Sequence, residues 1–255
     1  MTRIAAVGDI HFSTEHAGSL RPYWSTLHEH ADLFLLAGDL TRIGTAQEAE
    51  VLAAELSVVQ VPVVAVLGNH DYHSGQQEAV VTILQDAGVT VLESSSTVLD
   101  IRGIRVGIAG GKGFGGGFAG ACASAFGEPE MKAFIGHTHA LADRLERQLR
   151  DLSADLKIAL LHYAPIDATI EGEKRQIYPF LGSYLLGEAI DRAGADIVFH
   201  GHAHLGREKG VTPGGIAVRN VAQPVLRHAY NVYCIGREEL QTLSTRGAAA
   251  RDESC

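Results

Sequence analysis

Short apolar runs that each stop at polar side chains set the terms for this chain. Residues 4–7 run into Gly8-Asp9-Ile10-His11, and 33–37 into Gly38-Asp39-Leu40. Residues 61–67, broken only by Pro62, run into Gly68-Asn69-His70-Asp71. Further on, 158–161 end in His162-Tyr163-Ala164-Pro165 and 197–199 in His200-Gly201-His202-Ala203-His204. Nearly continuous apolar runs of this length read as strands buried on both faces, the signature of a parallel sheet. Polar residues just beyond the carboxyl ends of such strands sit where open α/β sheets bind their ligands.

Helical patterns fill the intervals. Ala49, Leu52, Ala53 and Leu56 keep helical spacing, as do Val80, Val81 and Leu84 before Gly88. Residues 22–30 form a short helix in this reading. Strand, helix, strand at this pace predicts βαβ units and an α/β class. After Gly88 the rhythm changes to strands at 89–92, 98–101 and 104–108, followed by a glycine-rich loop over 110–120. A long helix is expected over 129–152, with Leu141, Leu145 and Leu149 on one face, and another over 184–193. Strands at 216–221 and 230–235 complete one expected domain, 1–236. The polar remainder, 237–255, reads as a mobile tail.

Composition narrows the class. With 255 residues, 46% hydrophobic and 20% charged, the chain is globular rather than disordered. Its net charge of −9 disfavours a protein that holds nucleic acid mainly through its phosphates. Cys122, Cys234 and Cys255 are far apart and form no CxxC pair, so neither a disulfide framework nor a structural zinc site is suggested. The opening MTRIAAVGDIH lacks the apolar core of a signal peptide, and no apolar run is long enough to span a bilayer. A soluble, cytoplasmic protein is expected.

Five strand ends therefore carry polar groups in order. Setting His70 aside, they offer two carboxylates (Asp9, Asp39), one amide (Asn69) and four imidazoles (His11, His162, His202, His204). Oxygen and nitrogen donors without thiolate suit Mn²⁺, Fe or Zn²⁺ better than Ca²⁺ or a soft metal. Seven ligands exceed what one ion takes, whereas a shared carboxylate could bridge two ions about 3.5–4 Å apart.

These blocks (DxH, GD, GNHD, a lone His, and GHxH) resemble the pattern of the calcineurin-like metallophosphoesterase superfamily, in the same order from Asp9 to His204. The resemblance implies a four-layer α/β/β/α sandwich of two mixed sheets flanked by helices. It implies that Asp9, His11 and His204 hold one metal, that Asn69, His162 and His202 hold the second, and that Asp39 bridges them. It assigns His70 to catalysis beside the phosphate and Asp71 to orienting His70. The implied chemistry is in-line attack on phosphorus by a metal-bridging hydroxide, with His70 protonating the leaving alkoxide. The substrate would be a small-molecule or nucleotide phosphoester. The class III cyclic-nucleotide phosphodiesterases share the blocks, as do nucleases, protein phosphatases and pyrophosphohydrolases. The protein phosphatases carry GNHE where this chain has GNHD, and no basic stripe supports a nuclease. A silent scaffold of the same fold is the alternative from another class, and such scaffolds tend to lose the histidine kept here as His70.

Other stretches carry weaker signals. Gly136-His137-Thr138-His139 also matches GHxH, but it lies inside the long helical pattern and reads as a solvated face. His200 should face away from the site because side chains alternate along a strand. The run around Lys112 fails the phosphate-loop spacing; contact of Lys112 with a substrate phosphate is the functional alternative to a plain rim loop. Arg42 stands where many family members carry an acid, as either a surface residue or an anion clamp. The charged loop 166–178 reads as solvated, with a substrate cap as the alternative.

Overall fold

The computed structural model describes residues 1–236. The expected polar tail, 237–255, lies outside the described residues. Two mixed sheets form the centre. In the first, β1 (Thr2–Val7), β2 (Leu33–Ala37), β3 (Val63–Val66) and β4 (Thr90–Val91) run parallel, with β13 (Asn231–Ile235) antiparallel against β1. In the second, β6 (Ile104–Gly111), β9 (Leu156–Leu161), β10 (Ile197–His200) and β12 (Ala217–Asn220) are parallel. Its antiparallel edges are β5 (Ser95–Ile101) and β11 (Lys209–Val211). The right amino acids are in the centre: β2 reads LFLLA and is buried throughout.

Burial along β9 shows the layering residue by residue. Ile158 and Leu160 join one core with Leu33, Leu35 and Val64 of the first sheet. Ala159 and Leu161 turn to a second core with Leu145, Leu149, Leu186 and Ile190. These last four lie on α5 (Pro129–Asp151) and α7 (Tyr184–Ala193). The far face of the first sheet is covered by α3 (Ala46–Leu56) and α4 (Gln77–Asp86), through Leu52, Leu56, Val80 and Leu84. Period-2 alternation in a strand with helices on both outer sides gives the four-layer α/β/β/α sandwich.

Several expectations on local structure needed adjustment. The helix expected at 22–30 is two single turns, α1 (Arg21–Trp24) and α2 (Leu27–His30), because the backbone leaves the helical region at Thr26 (φ −101°, ψ 5°) between them. The glycine-rich segment starts as strand: β6 continues to Gly111, and β7 (Gly117–Phe118) and β8 (Ala121–Cys122) form a small hairpin. Two short polar elements, β11 and α8 (Gln223–Leu226), carry no periodicity from which they could be read. Among the described residues no helix is long and apolar enough to cross a membrane.

Candidate metal centre

Parallel strands of both sheets end at one edge. There, oxygen and nitrogen donors from Asp9, His11 and His204 lie within 4.8 Å of one another. So do those of Asp39, His162 and His202, and those of His11, Asp39 and His70. Asp39 belongs to two of the groups. Asn69 joins them through Oδ1, 3.0 Å from His162 Nε2. All the residues named from the sequence as ligands thus meet at one place, with His70 among them.

The backbone makes this convergence possible at a cost. Asp9, His11, Asp39 and His202 all have positive φ, between 42° and 71°. For residues with a side chain this conformation costs about 1–3 kcal/mol each and needs surrounding structure to hold it. Cross-loop bonds supply that hold: Asp9 N–H donates to Gly38 O (2.9 Å) and His11 N–H to Asp39 O (3.0 Å). His202 N–H donates to the Asp9 carboxylate (2.8 Å), and His70 N–H to Asp39 Oδ1 (2.8 Å). Two glycines allow the loops this close. A Cβ on Gly68 would stand 2.1 Å from Asp39 Oδ1, and one on Gly201 2.3 Å from Asp9 Oδ2. At either distance a side chain would force its neighbours to shift.

Carbonyl oxygens set the imidazole tautomers, because a carbonyl can only accept. His162 Nδ1–H donates to Ala37 O (2.9 Å), which leaves a lone pair on Nε2, facing Asp39 Oδ1 at 3.3 Å. His202 Nε2–H donates to Phe180 O (3.0 Å), which leaves Nδ1 as the donor atom. Orientation of ligand rings by backbone carbonyls is a regular feature of metal sites. Burial pushes the His202 imidazole down to about 4 and lowers His11 as well, so both are held in the neutral form a metal needs. His11 Nε2 is buried with no hydrogen-bond partner. Burial alone would raise the Asp9 carboxyl, but the His204 hydrogen bond (2.9 Å) and the His162 and His204 charges outweigh it and hold Asp9 lower. An orphaned buried nitrogen on His11, an Asp9 carboxylate kept ionised and His11 and His202 imidazoles kept neutral together fit a bound cation pair.

The expected part of Asp71 differs from its position. Its carboxylate does not meet His70. It accepts from Gly68 N–H (2.8 Å), Leu40 N–H (3.1 Å), Thr41 N–H (2.8 Å) and Thr41 Oγ1–H (2.6 Å). Burial pushes it up to about 6 despite these donors. The partner of His70 Nδ1–H is the backbone O of Arg42, at 2.8 Å. Asp71 therefore ties two strand-end loops together, and Arg42 orients the ring through its carbonyl rather than its exposed guanidinium.

Elsewhere the weaker signals resolve. Gly136-His137-Thr138-His139 lies in α5 with both histidines exposed, apart from the site. His200 faces away: its ring bonds Gly201 O and Thr169 Oγ1, both at 2.8 Å, and burial lowers it to about 4. Loop 166–178 is not simply solvated. Glu173 accepts from Leu205 N–H (2.8 Å) and Glu171 pairs with Arg207 (2.9 Å), which fastens the loop beside His204. Three aromatic neighbours had no signal in the sequence beyond adjacency to a motif. Tyr163 has its ring centroid 4.4 Å from that of His202, Tyr72 follows Asp71, and Phe180 supplies the carbonyl to His202.

Comparison with known proteins agrees with this arrangement. A family profile described as calcineurin-like phosphoesterase matches residues 2–206. None of the curated proteins matches in sequence. Among solved structures, phosphopantetheinyl hydrolase from Mycobacterium tuberculosis is similar at 17% identity and a TM-score of 0.62, covering 91% of this chain and 98% of that one. A putative 5′-nucleotidase from Staphylococcus aureus is similar at 13% identity and a TM-score of 0.56, covering 96% of this chain and 58% of that one. GAP50, the anchor in the inner membrane complex of Plasmodium, is similar at 15% identity and a TM-score of 0.53, covering 88% and 72%. At these identities the structures share the fold. The family match over most of the sequence, together with the shared-carboxylate cluster at the sheet edge, makes this chain a member of the calcineurin-like phosphoesterase family, the metal-dependent phosphoester hydrolases.

Proposed function

We propose that residues 1–236 act as one catalytic domain that hydrolyses a small-molecule or nucleotide phosphoester with two bound transition metals, Mn²⁺, Fe or Zn²⁺. The observation that carries this reading is the position of Asp39 in two ligand groups at once. Asp9, His11 and His204 would hold one ion, Asn69, His162 and His202 the other, and Asp39 both. When bound, such a pair activates water at neutral pH and offsets charge on the phosphoryl oxygens.

The residues of the chain do the rest. His70 Nε2 stands 4.0 Å from Asp39 Oδ2, on the half-exposed side of the cluster. As water attacks phosphorus, the P–O bond to the leaving group breaks and the alkoxide takes a proton from His70 Nε2. Throughout, Nδ1–H stays on Arg42 O, so the ring does not rotate during transfer. Proton donation of this kind is worth roughly 10²–10⁴ in rate. Asp71 supports this indirectly by fixing Thr41, the residue before Arg42. A cytoplasmic setting accords with the exposed free thiols of Cys122 and Cys234 among the described residues.

A panel of phosphomonoesters and phosphodiesters, run with added Mn²⁺ on wild type and His70→Ala in parallel, tests the reading. Turnover by the wild type and its loss in the variant are expected. Equal activity in both would expose a contaminant. A binding scaffold is the second reading, prompted by the structural likeness to the Plasmodium anchor. It predicts no turnover with any divalent metal, and the intact His70 weighs against it.

A further inference from the structure

Lys112 occupies a position that the catalytic reading leaves unused. It follows β6, and β6 runs parallel to β9, which runs parallel to β10. Lys112 therefore emerges on the same edge as His162 after β9 and His202 after β10. Its carbonyl accepts the N–H groups of His162 (3.1 Å) and Tyr163 (2.9 Å), which fastens it to the ligand-bearing loop. Its ammonium sits over three rings: Tyr72 at 4.6 Å, Phe114 at 5.3 Å and Tyr163 at 5.7 Å from the centroids. Tyr72 belongs to the Asn69-His70 loop and Tyr163 adjoins His162. The cation is thus suspended between the two loops that carry Asn69 and His162.

Half-buried lysines ordinarily end on an acceptor, because an ammonium has three donors and is costly to desolvate. Among the described residues Lys112 Nζ has neither a hydrogen bond nor an ion pair. Glu93, whose charge acts on it, accepts the Tyr72 hydroxyl instead. Aromatic faces hold a cation in place while leaving its N–H groups free for an anion. Phe114 and Tyr163 are themselves packed into the core behind α5 and α7, so the platform is built rather than incidental.

We propose that Lys112 binds a phosphoryl oxygen of the substrate on the Asn69–His162 side of the site, and that this charge makes the enzyme prefer phosphomonoester dianions to diester monoanions. The inference rests on the hydrolase reading above, whose site it deepens. Coulomb attraction scales with the charge of the ligand, so an added cation favours the dianion.

The test compares wild type with Lys112→Gln, which keeps most of the stem, and Lys112→Arg, which keeps the charge, after melting curves confirm folding. Two measurements are made on Mn²⁺-loaded protein: kcat and KM for p-nitrophenyl phosphate and bis(p-nitrophenyl) phosphate, and calorimetric titration with inorganic phosphate. Loss of a charged hydrogen bond in Lys112→Gln should cut kcat/KM for the monoester about 10–100-fold, mainly through KM, and weaken phosphate binding by a similar factor. The diester should change less than about 5-fold, and Lys112→Arg should recover most of both losses. Unchanged phosphate affinity in Lys112→Gln, or equal losses on both esters, would overturn the proposal. If the wild type turns over neither ester with any divalent metal, the hydrolase reading fails. The phosphate titration still decides the role of Lys112 in that case.

Discussion

The chain spells Gly-His-x-His twice, and the two copies have opposite fates. Gly201-His202-Ala203-His204 follows β10, where the backbone turns through a positive φ at His202 and both rings reach carboxylates of the other sheet. Gly136-His137-Thr138-His139 continues a helix, and its two histidines lie at the surface, His137 edge-on to Phe114, while Thr138 is buried and donates to Gly115 O (2.5 Å). The glycines differ as much. A Cβ on Gly201 would collide with Asp9, and one on Gly136 meets nothing within 4 Å. A metal motif is thus a statement about where the chain stops being a strand, not about four letters.

The comparison can be broken most forcefully at the carboxylate that the strand-end copy shares with its partners. Asp39→Asn should lower turnover by at least about 10²–10³-fold, since charge aimed at the reacting centre carries weight of that order. His202→Ala and His204→Ala should each reduce metal affinity by at least about 10–100-fold, the cost known for merely supporting groups. Metal titration followed by kinetics checks both.

Next in size is an effect of acid on the residue that precedes the strand-end copy. His200 titrates at about 4 in the folded protein, below the ordinary value of 6.5. As pH falls from 6.5 towards 4, the unfolded chain gains the proton first, so stability present above that window is lost across it. About 3 kcal/mol is at stake, at 1.36 kcal/mol per pH unit. Denaturant titrations of metal-free protein at pH 7 and 4.5 should show a smaller acid loss in His200→Gln than in wild type. Identical losses would break the assignment.

The glycines give a paired contrast. Gly201→Ala should destabilise by about 1–3 kcal/mol through forced displacement of Asp9. Gly136→Ala, in an open helical position, should stabilise by about 0.4–1 kcal/mol. Opposite shifts in melting temperature are the expected result. Smallest of all, His137→Ala and His139→Ala should stay within about 0.5 kcal/mol of wild type and leave metal content untouched.

Much of this was legible in the sequence because strand ends announce themselves. Apolar runs locate β1, β2, β3, β9 and β10, and the residues after them are the cluster. Helix α7 could be bounded from Ser183, whose side chain accepts from Leu185 N–H, and from Gly194 after its last turn. What could not be read depends on contacts between distant segments. Asp71 looks like a partner for its neighbour His70, yet Gly68 N–H of its own loop and three donors from Leu40 and Thr41 claim it. Arg42 matters through a carbonyl that every residue owns. The rings around Lys112 come from three separate loops, and no spacing rule links them. Edge elements such as β11 are too short and too polar to show a period.

Metal content of the purified protein, after equilibration with Mn²⁺ and removal of free ion, tests the central claim most directly. Two ions per chain in wild type, falling to one or none in Asp39→Asn and unchanged in His137→Ala, is the expected pattern. No bound ion in wild type, or two ions still bound in Asp39→Asn, would contradict a shared carboxylate at the meeting point of the two sheets.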